Sequence, residues 1–288
     1  MLAHVAEFRV STMCRVLGVK ASGYYTWRSR KPSERTTENE RLVAKIKALH
    51  DQSRGLYGSP KIYQSLRRDG EAVNHKRVER LMKDHSIRAK RAKKFRQTTD
   101  SRHALPVAEN VLERNFTAAH PNAVWTTDIT YIWTDEGWLY LTVFLDLYSR
   151  LVVGWAVSDS LTTRMVERAF MNAQGRRAMA VSPLVHSDRG CQFASAAFRE
   201  QLTAWGCSQS MSRRANCWDN AVTESFFGIL KTELVHHERF RTRQEAVDKL
   251  FDYIEVFYNR MRIHSTIDYF TPMDYEAHYY QAQLKLAA

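Results

Sequence analysis

Cysteine is scarce in this chain. Its 288 residues hold four, Cys14, Cys191, Cys207 and Cys217, and no two are spaced as a CxxC pair. That excludes a disulfide-stapled scaffold. Because only Cys14 falls in the histidine-containing first third, it also leaves a Cys2His2 zinc site there unsupported. Long apolar runs are missing too. The densest, Leu139 to Leu147, has the length of a strand and falls far short of the roughly 20 residues of a bilayer-spanning helix. The opening residues MLAHVAEFRV carry no basic segment followed by an apolar core, so no secretory signal is expected and the thiols read as reduced, in a cytoplasmic protein. With 44% hydrophobic and 26% charged residues, wholesale disorder is excluded, and the length alone suggests two domains.

Acidic residues are the other deficit, and it is local. Residues 1–105 hold 25 lysines and arginines against 10 acids, whereas residues 106–288 hold 18 against 21, so the net charge of +12 belongs entirely to the first third. A polyanion-binding module joined to a near-neutral one is expected.

The first third reads as helical. Apolar residues from Val10 to Leu17 keep helical spacing up to Gly18, and Ser22 can cap a second helix through Trp27. A longer helix follows from Glu38 to His50 on Leu42, Ile46 and Leu49. Ser59-Pro60 marks the start of a helix ending near Gly70, and Asn74 caps another that carries Val78, Leu81 and Met82. Beyond it, residues 88–96 contain six cationic residues and no acid, among them Lys90, Arg91, Lys93, Lys94 and Arg96. Behind two helix-turn-helix patterns, these five are expected to contact the DNA backbone, which carries affinity but little sequence information. The expected units are a helix-turn-helix-like segment at 1–35, a helical DNA-binding domain at 36–96, and a polar linker at 97–120. A catalytic domain at 121–275 and a tail at 276–288 complete the chain.

From Asn122 the pattern turns to strands. Val124–Trp133 alternates, with Trp125, Thr127, Ile129, Tyr131 and Trp133 on one face and Asp128 on the other. Leu139–Asp146 and Leu151–Val157 complete an antiparallel meander. A helix over 162–174, a short strand at Leu184–His186 and a helix over 194–205 follow, as in a mixed α/β sheet with flanking helices.

Three acids stand out by context. Asp128 interrupts an apolar strand. Asp188 directly follows a short strand, where open α/β sheets place their sites. Glu224 lies on a helix that Asp219 is expected to cap, and it shares with Gly228 and Lys231 the face opposite Phe226, Phe227, Leu230 and Leu234. A carboxylate for a metal and a lysine for a phosphate suit phosphoryl transfer. Each acid alone also has a structural explanation. Asp146, in a strand-end turn with Arg150, cannot be ranked below Asp128 on residue type.

Asp188 and Glu224 are separated by 35 residues, and Asp128 and Asp188 by 59. With the stretches 125–132 (WTTDITYI), 146–155 (DLYSRLVVGW), 186–193 (HSDRGCQF), 219–233 (DNAVTESFFGILKTE) and 258–272 (YNRMRIHSTIDYFTP), this resembles the D,D(35)E pattern of DDE transposases of bacterial insertion sequences. It is closest to the OrfB-type, second-frame product of the retroviral integrase superfamily. The resemblance implies an RNase H-like (retroviral integrase-like) mixed sheet with flanking helices, preceded by an all-α helix-turn-helix region. It maps catalytic and metal-ligating roles onto Asp128, Asp188 and Glu224, with two Mg²⁺ (or Mn²⁺) ions, and a DNA-contacting role onto Lys231. The implied activity is metal-dependent cleavage of strands at the element's ends followed by strand transfer. The partners are double-stranded DNA (terminal inverted repeats and target), further copies of the chain, and the upstream-frame OrfA product or a fusion with it. The basic helical region takes the place of the His2Cys2 zinc domain of retroviral integrases.

Arg189, Arg213 and Arg214 are candidates for phosphate contact, and Arg260, Arg262 and His264 form a basic strip. The aromatic-rich stretch 246–258 is expected to be core or interface rather than a base-stacking platform. Two other readings stay open: a nuclease of the same fold that never joins strands, and a non-enzymatic helix-turn-helix DNA-binding protein.

Overall fold

The computed structural model describes residues 1–90, 106–113, 115–177, 182–213 and 217–287. Of the predicted phosphate contacts, Arg91, Lys93, Lys94, Arg96 and Arg214 lie outside them.

Five helices make up the first third: α1 (Val10–Val16), α2 (Ala21–Ser29), α3 (Glu34–Gln52), α4 (Ser59–Arg68) and α5 (His75–Asp84). Ser33 starts α3 by accepting the Thr36 amide, and Asn74 starts α5 by accepting the Arg77 amide at 2.8 Å. Two starts differ from expectation. Helix α2 begins at Ala21 with Lys20 before it, so Ser22 lies within the helix and caps nothing, and Gly58 rather than Ser59 precedes α4. Leu42, Ile46, Ile62, Leu66, Val78 and Leu81 close a core of their own among α3, α4 and α5.

The second part is a five-stranded sheet of β1 (Val124–Thr134), β2 (Gly137–Asp146), β3 (Val152–Ser158), β4 (Leu184–Ser187) and β5 (Ser208–Met211), in the order β3-β2-β1-β4-β5. The first three form the antiparallel meander, and β4 and β5 add in parallel beside β1. Alternation along β1 sends Trp125 to one face, with α6 (Thr163–Arg176) and α7 (Ala196–Ala204), and Ile132 to the other. That other face is covered by α8 (Ala221–Glu233), α9 (Arg243–Phe251) and a π-helical continuation, Asp252–Tyr258. Leu250, Ile254, Phe257 and Tyr258 are buried there, so this aromatic stretch is core, with Phe251 left exposed. Gly154 on β3 is fixed by packing: a Cβ would lie 2.5 Å from the Ala169 carbonyl of α6.

Three expectations are corrected. Residues 106–113 of the predicted linker lie against β5, with Val111 and Leu112 donating backbone amides to Ser210 Oγ and Leu112 buried. The predicted tail starts inside a helix, α10 (Pro272–Ala287), whose buried Glu276 pairs with Arg177 and accepts from Ser149. The basic strip is not a surface feature: Arg262 and His264 are buried, and Arg262 is locked to Glu233, while Arg260 is exposed.

Candidate active site

Asp128 is set by the central strand. Opposite Val143 of β2 and two residues beyond the pairing with β4, it points from a face of threonines and is only 7% exposed. Its Oδ1 accepts the amide of Ile129 at 2.7 Å. Burial pushes its carboxyl well above the ordinary range. The negative charges of Asp188 and then Glu224 push the same way, and Lys231 partly opposes them.

Asp188 is the first residue after β4. Its Oδ1 accepts the amide of Gly190 at 2.9 Å, and a Cβ at Gly190 would sit only 3.0 Å from that oxygen, so a side chain there would crowd the carboxylate. His186 pins β4 to its neighbour through Nδ1 with Ser210 Oγ (2.9 Å) and Nε2 with Ser212 Oγ (3.3 Å). Burial pushes the imidazole down to about 4, so it is neutral at pH 7.

Glu224 enters from the first turn of α8, half-buried, with its carboxyl raised by burial and by Asp188. Two turns further on, Lys231 lies over the Tyr131 ring with Nζ 5.0 Å from its centroid. Burial lowers its pKa while Asp128 raises it. Between them Gly228 faces open space, with no atom within 4 Å of where a Cβ would be. The structure therefore brings Asp128, Asp188, Glu224 and Lys231 into one electrostatic unit, drawn from a strand, a loop and a helix.

Among the described residues no three carboxylate, imidazole or thiol groups converge into a ready-made metal cage. Two of the acids instead turn an oxygen to the amide of a nearby residue. The donor set nevertheless suits a hard divalent cation, because it consists of carboxylates and the charge of Asp188 raises both Asp128 and Glu224. Asn220, which precedes α8, adds a neutral oxygen. Its amide nitrogen donates to the Thr127 carbonyl at 3.3 Å, and among the described residues its buried Oδ1 has no hydrogen-bond donor.

Asp219 does not cap α8; Asn220 holds that position. The Asp219 carboxylate is buried instead against Arg213, accepting its backbone amide (2.9 Å), Nε (3.0 Å) and Nη2 (2.9 Å), and against Asn110 (2.9 Å). Arg213 thus anchors the approach to α8. Arg189 donates Nε to the Ser212 carbonyl at 2.6 Å. Lys90 is exposed, its amide bonded to the Gly55 carbonyl. Asn220 and His186 escaped the sequence. An asparagine beside an aspartate and a histidine in a four-residue strand carry no signal until the sheet is assembled.

The HTH-like domain family matches residues 37–95, and integrase core domain families match residues 118–217 and 224–279. The chain is 40% identical over 269 residues to the Insertion element IS600 uncharacterized 31 kDa protein of Shigella sonnei, covering 93% of this chain and 99% of that one. To the Transposase InsF for insertion sequence IS3A of Escherichia coli (strain K12) it is 41% identical over 275 residues, covering 95% and 96%. The HTLV-2 integrase catalytic core domain, solved in complex with magnesium, aligns with 55% of this chain and 98% of its own at a TM-score of 0.42 and 19% identity. At that score the likeness adds nothing to the family match.

Proposed function

Because the chain belongs to the IS3-type insertion-sequence transposases, with their HTH-like and integrase core domains, we propose that Asp128, Asp188 and Glu224 are its catalytic triad. With them it cuts DNA at the element's ends and joins the freed 3′ ends to a target. One observation carries this reading: acids far apart in sequence act on one another, Asp188 and Glu224 raising the Asp128 carboxyl and Asp188 raising Glu224, with Lys231 as the opposing cation. Such clusters of perturbed carboxylates mark functional sites.

The triad would hold two Mg²⁺ (or Mn²⁺) ions, with Asn220 as a neutral neighbour. Bound there, the metal supplies Lewis-acid stabilisation of the charge that develops in an in-line phosphoryl displacement. The chain's own residues do the rest. The turn at Gly190 orients Asp188, burial in the sheet keeps Asp128 out of bulk water, and α8 holds Glu224 and Lys231 on one face. Lys231 would meet a backbone phosphate beside the scissile one, and Arg189 would support the flanking strand. No covalent enzyme–DNA intermediate is required.

The substrates would be the terminal inverted repeats and target duplex, bound by several copies of the chain together with the OrfA product or as a fusion to it. The setting would be the bacterial cytoplasm at the nucleoid. Among the described residues no helix is long and apolar enough to cross a membrane.

The test is strand transfer of labelled terminal repeats in Mg²⁺. Asp128→Asn, Asp188→Asn and Glu224→Gln are each expected to abolish it, and activity surviving in any of them would overturn that residue's role. Cleavage without joining would mark a nuclease, and DNA binding with neither would mark a non-enzymatic binder. Lys231→Ala is expected to weaken DNA engagement or joining while calorimetric Mg²⁺ binding stays; unchanged activity would return Lys231 to a surface role.

A further inference from the structure

A second cationic site lies at the junction of the two parts. A cavity of about 320 Å³ is lined by Lys61 of α4, Arg150 of the turn after β2, Arg262 and His264 of the segment after the π-helix, and the hydroxyls of Ser225 and Thr266. Its cations are poorly compensated. Glu233 is spent on Arg262, accepting Nε at 2.8 Å and Nη2 at 2.7 Å, and it also accepts the Tyr253 hydroxyl at 2.8 Å. Among the described residues neither Lys61 nor Arg150 forms an ion pair with a carboxylate. Lys61 rests over the Tyr57 ring at 4.9 Å, and among the described residues the buried Nε of Arg150 has no hydrogen-bond partner. His264, beside them, is held neutral by burial and by Arg262. Glu233 and Asp146 act on Lys61 and Arg150 only at a distance, without an ion pair, and partly buried cations left so are costly unless an anion completes them.

We propose that this cavity binds a phosphate group of the DNA backbone, gripped by Lys61 and Arg150 and flanked by the hydroxyls of Ser225 and Thr266. Guanidinium and ammonium donors together with hydroxyls are the groups that recognise phosphate oxygens. The location gives the contact a purpose. Lys61 comes from the HTH-like domain and Arg150 from the integrase core, so one phosphate would tie both to the same duplex. The proposal rests on the transposase reading but involves none of its triad.

The experiment uses the full chain with Lys61→Met and Arg150→Met. Inorganic phosphate, at ionic strength matched with chloride, is expected to raise the melting temperature of the wild type and of neither variant. In titrations of a short duplex against salt, each variant should lower the slope of log affinity by about 0.9, the value of one lost phosphate contact. Without phosphate, neither variant should melt below the wild type, because the removed cation had no carboxylate ion pair and a methionine keeps the apolar contact. A wild type indifferent to phosphate, or variants that melt earlier without it, would overturn the proposal. A lost phosphate response with an unchanged salt slope would assign the cavity to free phosphate and overturn the DNA contact. Asp188→Asn should keep both the phosphate response and the slope. If the wild type shows these yet joins no strands, the cutting reading fails and this one stands.

Discussion

Asp128 and Asp146 lie in adjacent strands of one sheet, both buried and both with raised pKa, yet their surroundings differ in kind. Asp146 is saturated by donors: the Asn122 amide at 2.6 Å, the Ser149 amide at 2.9 Å and the Ser149 hydroxyl at 3.1 Å. Asp128 accepts the amide of its own neighbour, Ile129, and faces two other acids. Asp146 therefore closes a turn, while Asp128 sits among like charges that Lys231 only partly opposes. It follows that Asp128→Asn should abolish strand transfer while raising the stability of the metal-free protein at pH 7, where the raised carboxyl would otherwise be ionised at a cost. Thermal unfolding with and without Mg²⁺ checks this: Mg²⁺ should stabilise the wild type and lose most of that effect in the variant. An unstabilised variant would mean that the acids do not repel. Sequence could not separate the two aspartates, because the donors around Asp146 come from a turn and from a residue 24 positions away. Lys61 offers a second test. Burial, chiefly, and the Arg262 charge push its ammonium down to about 8, with Glu233 opposing, while Tyr57 contributes a ring face and His264 no charge. A lysine depressed in the folded state binds fewer protons there than when unfolded. Its cost is thus fully present below pH 8 and is relieved as pH rises toward 10. Wild-type stability should climb over that window, and the climb should flatten in Lys61→Met.

At the scale of elements, the strands and helices with strong periodicity were legible, and the weakly patterned ones were not. The meander followed from β-branched and aromatic alternation, and α5 from its cap at Asn74. Strand β5 reads Ser-Gln-Ser-Met, without an apolar period, and exists because β4 and the segment 106–113 flank it. The π-helical turn at Asp252–Tyr258 likewise follows an unbroken helical pattern; what packing demands of Tyr253, Ile254, Phe257 and Tyr258 is visible only in the core. Of the candidate site, the acids and Lys231 were legible through their spacing and helix face. Asn220 and the engagement of Asp219 with Arg213 depend on how the chain enters α8. Gly154 shows how tightly the elements fit. A methyl group there meets the Ala169 carbonyl and the Ala173 amide, both at 2.5 Å, on the helix that covers the sheet. Backbone cannot yield as a side chain does, so Gly154→Ala should cost about 1–3 kcal/mol as overpacking, read as a lower urea midpoint with an unchanged slope. A neutral result would mean that α6 can lift off β3 freely.

For the whole molecule, the charge asymmetry locates the DNA-facing part but says nothing about how that part is held. The structure supplies the joint. Arg54 pairs with Asp252 at 2.5 Å and lies over Phe257, and Arg68 donates to the Tyr269 carbonyl at 2.7 Å. Tyr57 forms the bridge, its hydroxyl donating to the Met261 carbonyl at 3.0 Å while accepting the Ile263 amide at 2.8 Å; Ile263 itself packs into the core of the first part. The two parts therefore share hydrogen bonds and apolar contact, and the wild type should unfold in one transition. Tyr57→Phe keeps the ring and removes the hydroxyl, leaving the buried Ile263 amide without its acceptor. A loss of about 1–3 kcal/mol is expected for that orphaned donor. Adding Arg54→Ala should uncouple the joint, splitting calorimetric unfolding into two transitions. DNA affinity should then survive, since the cations remain, while strand transfer falls, because duplex held by the first part no longer lies in fixed register with the acids. A double variant that still unfolds in one step and joins strands at the wild-type rate would show that the joint does not set that register.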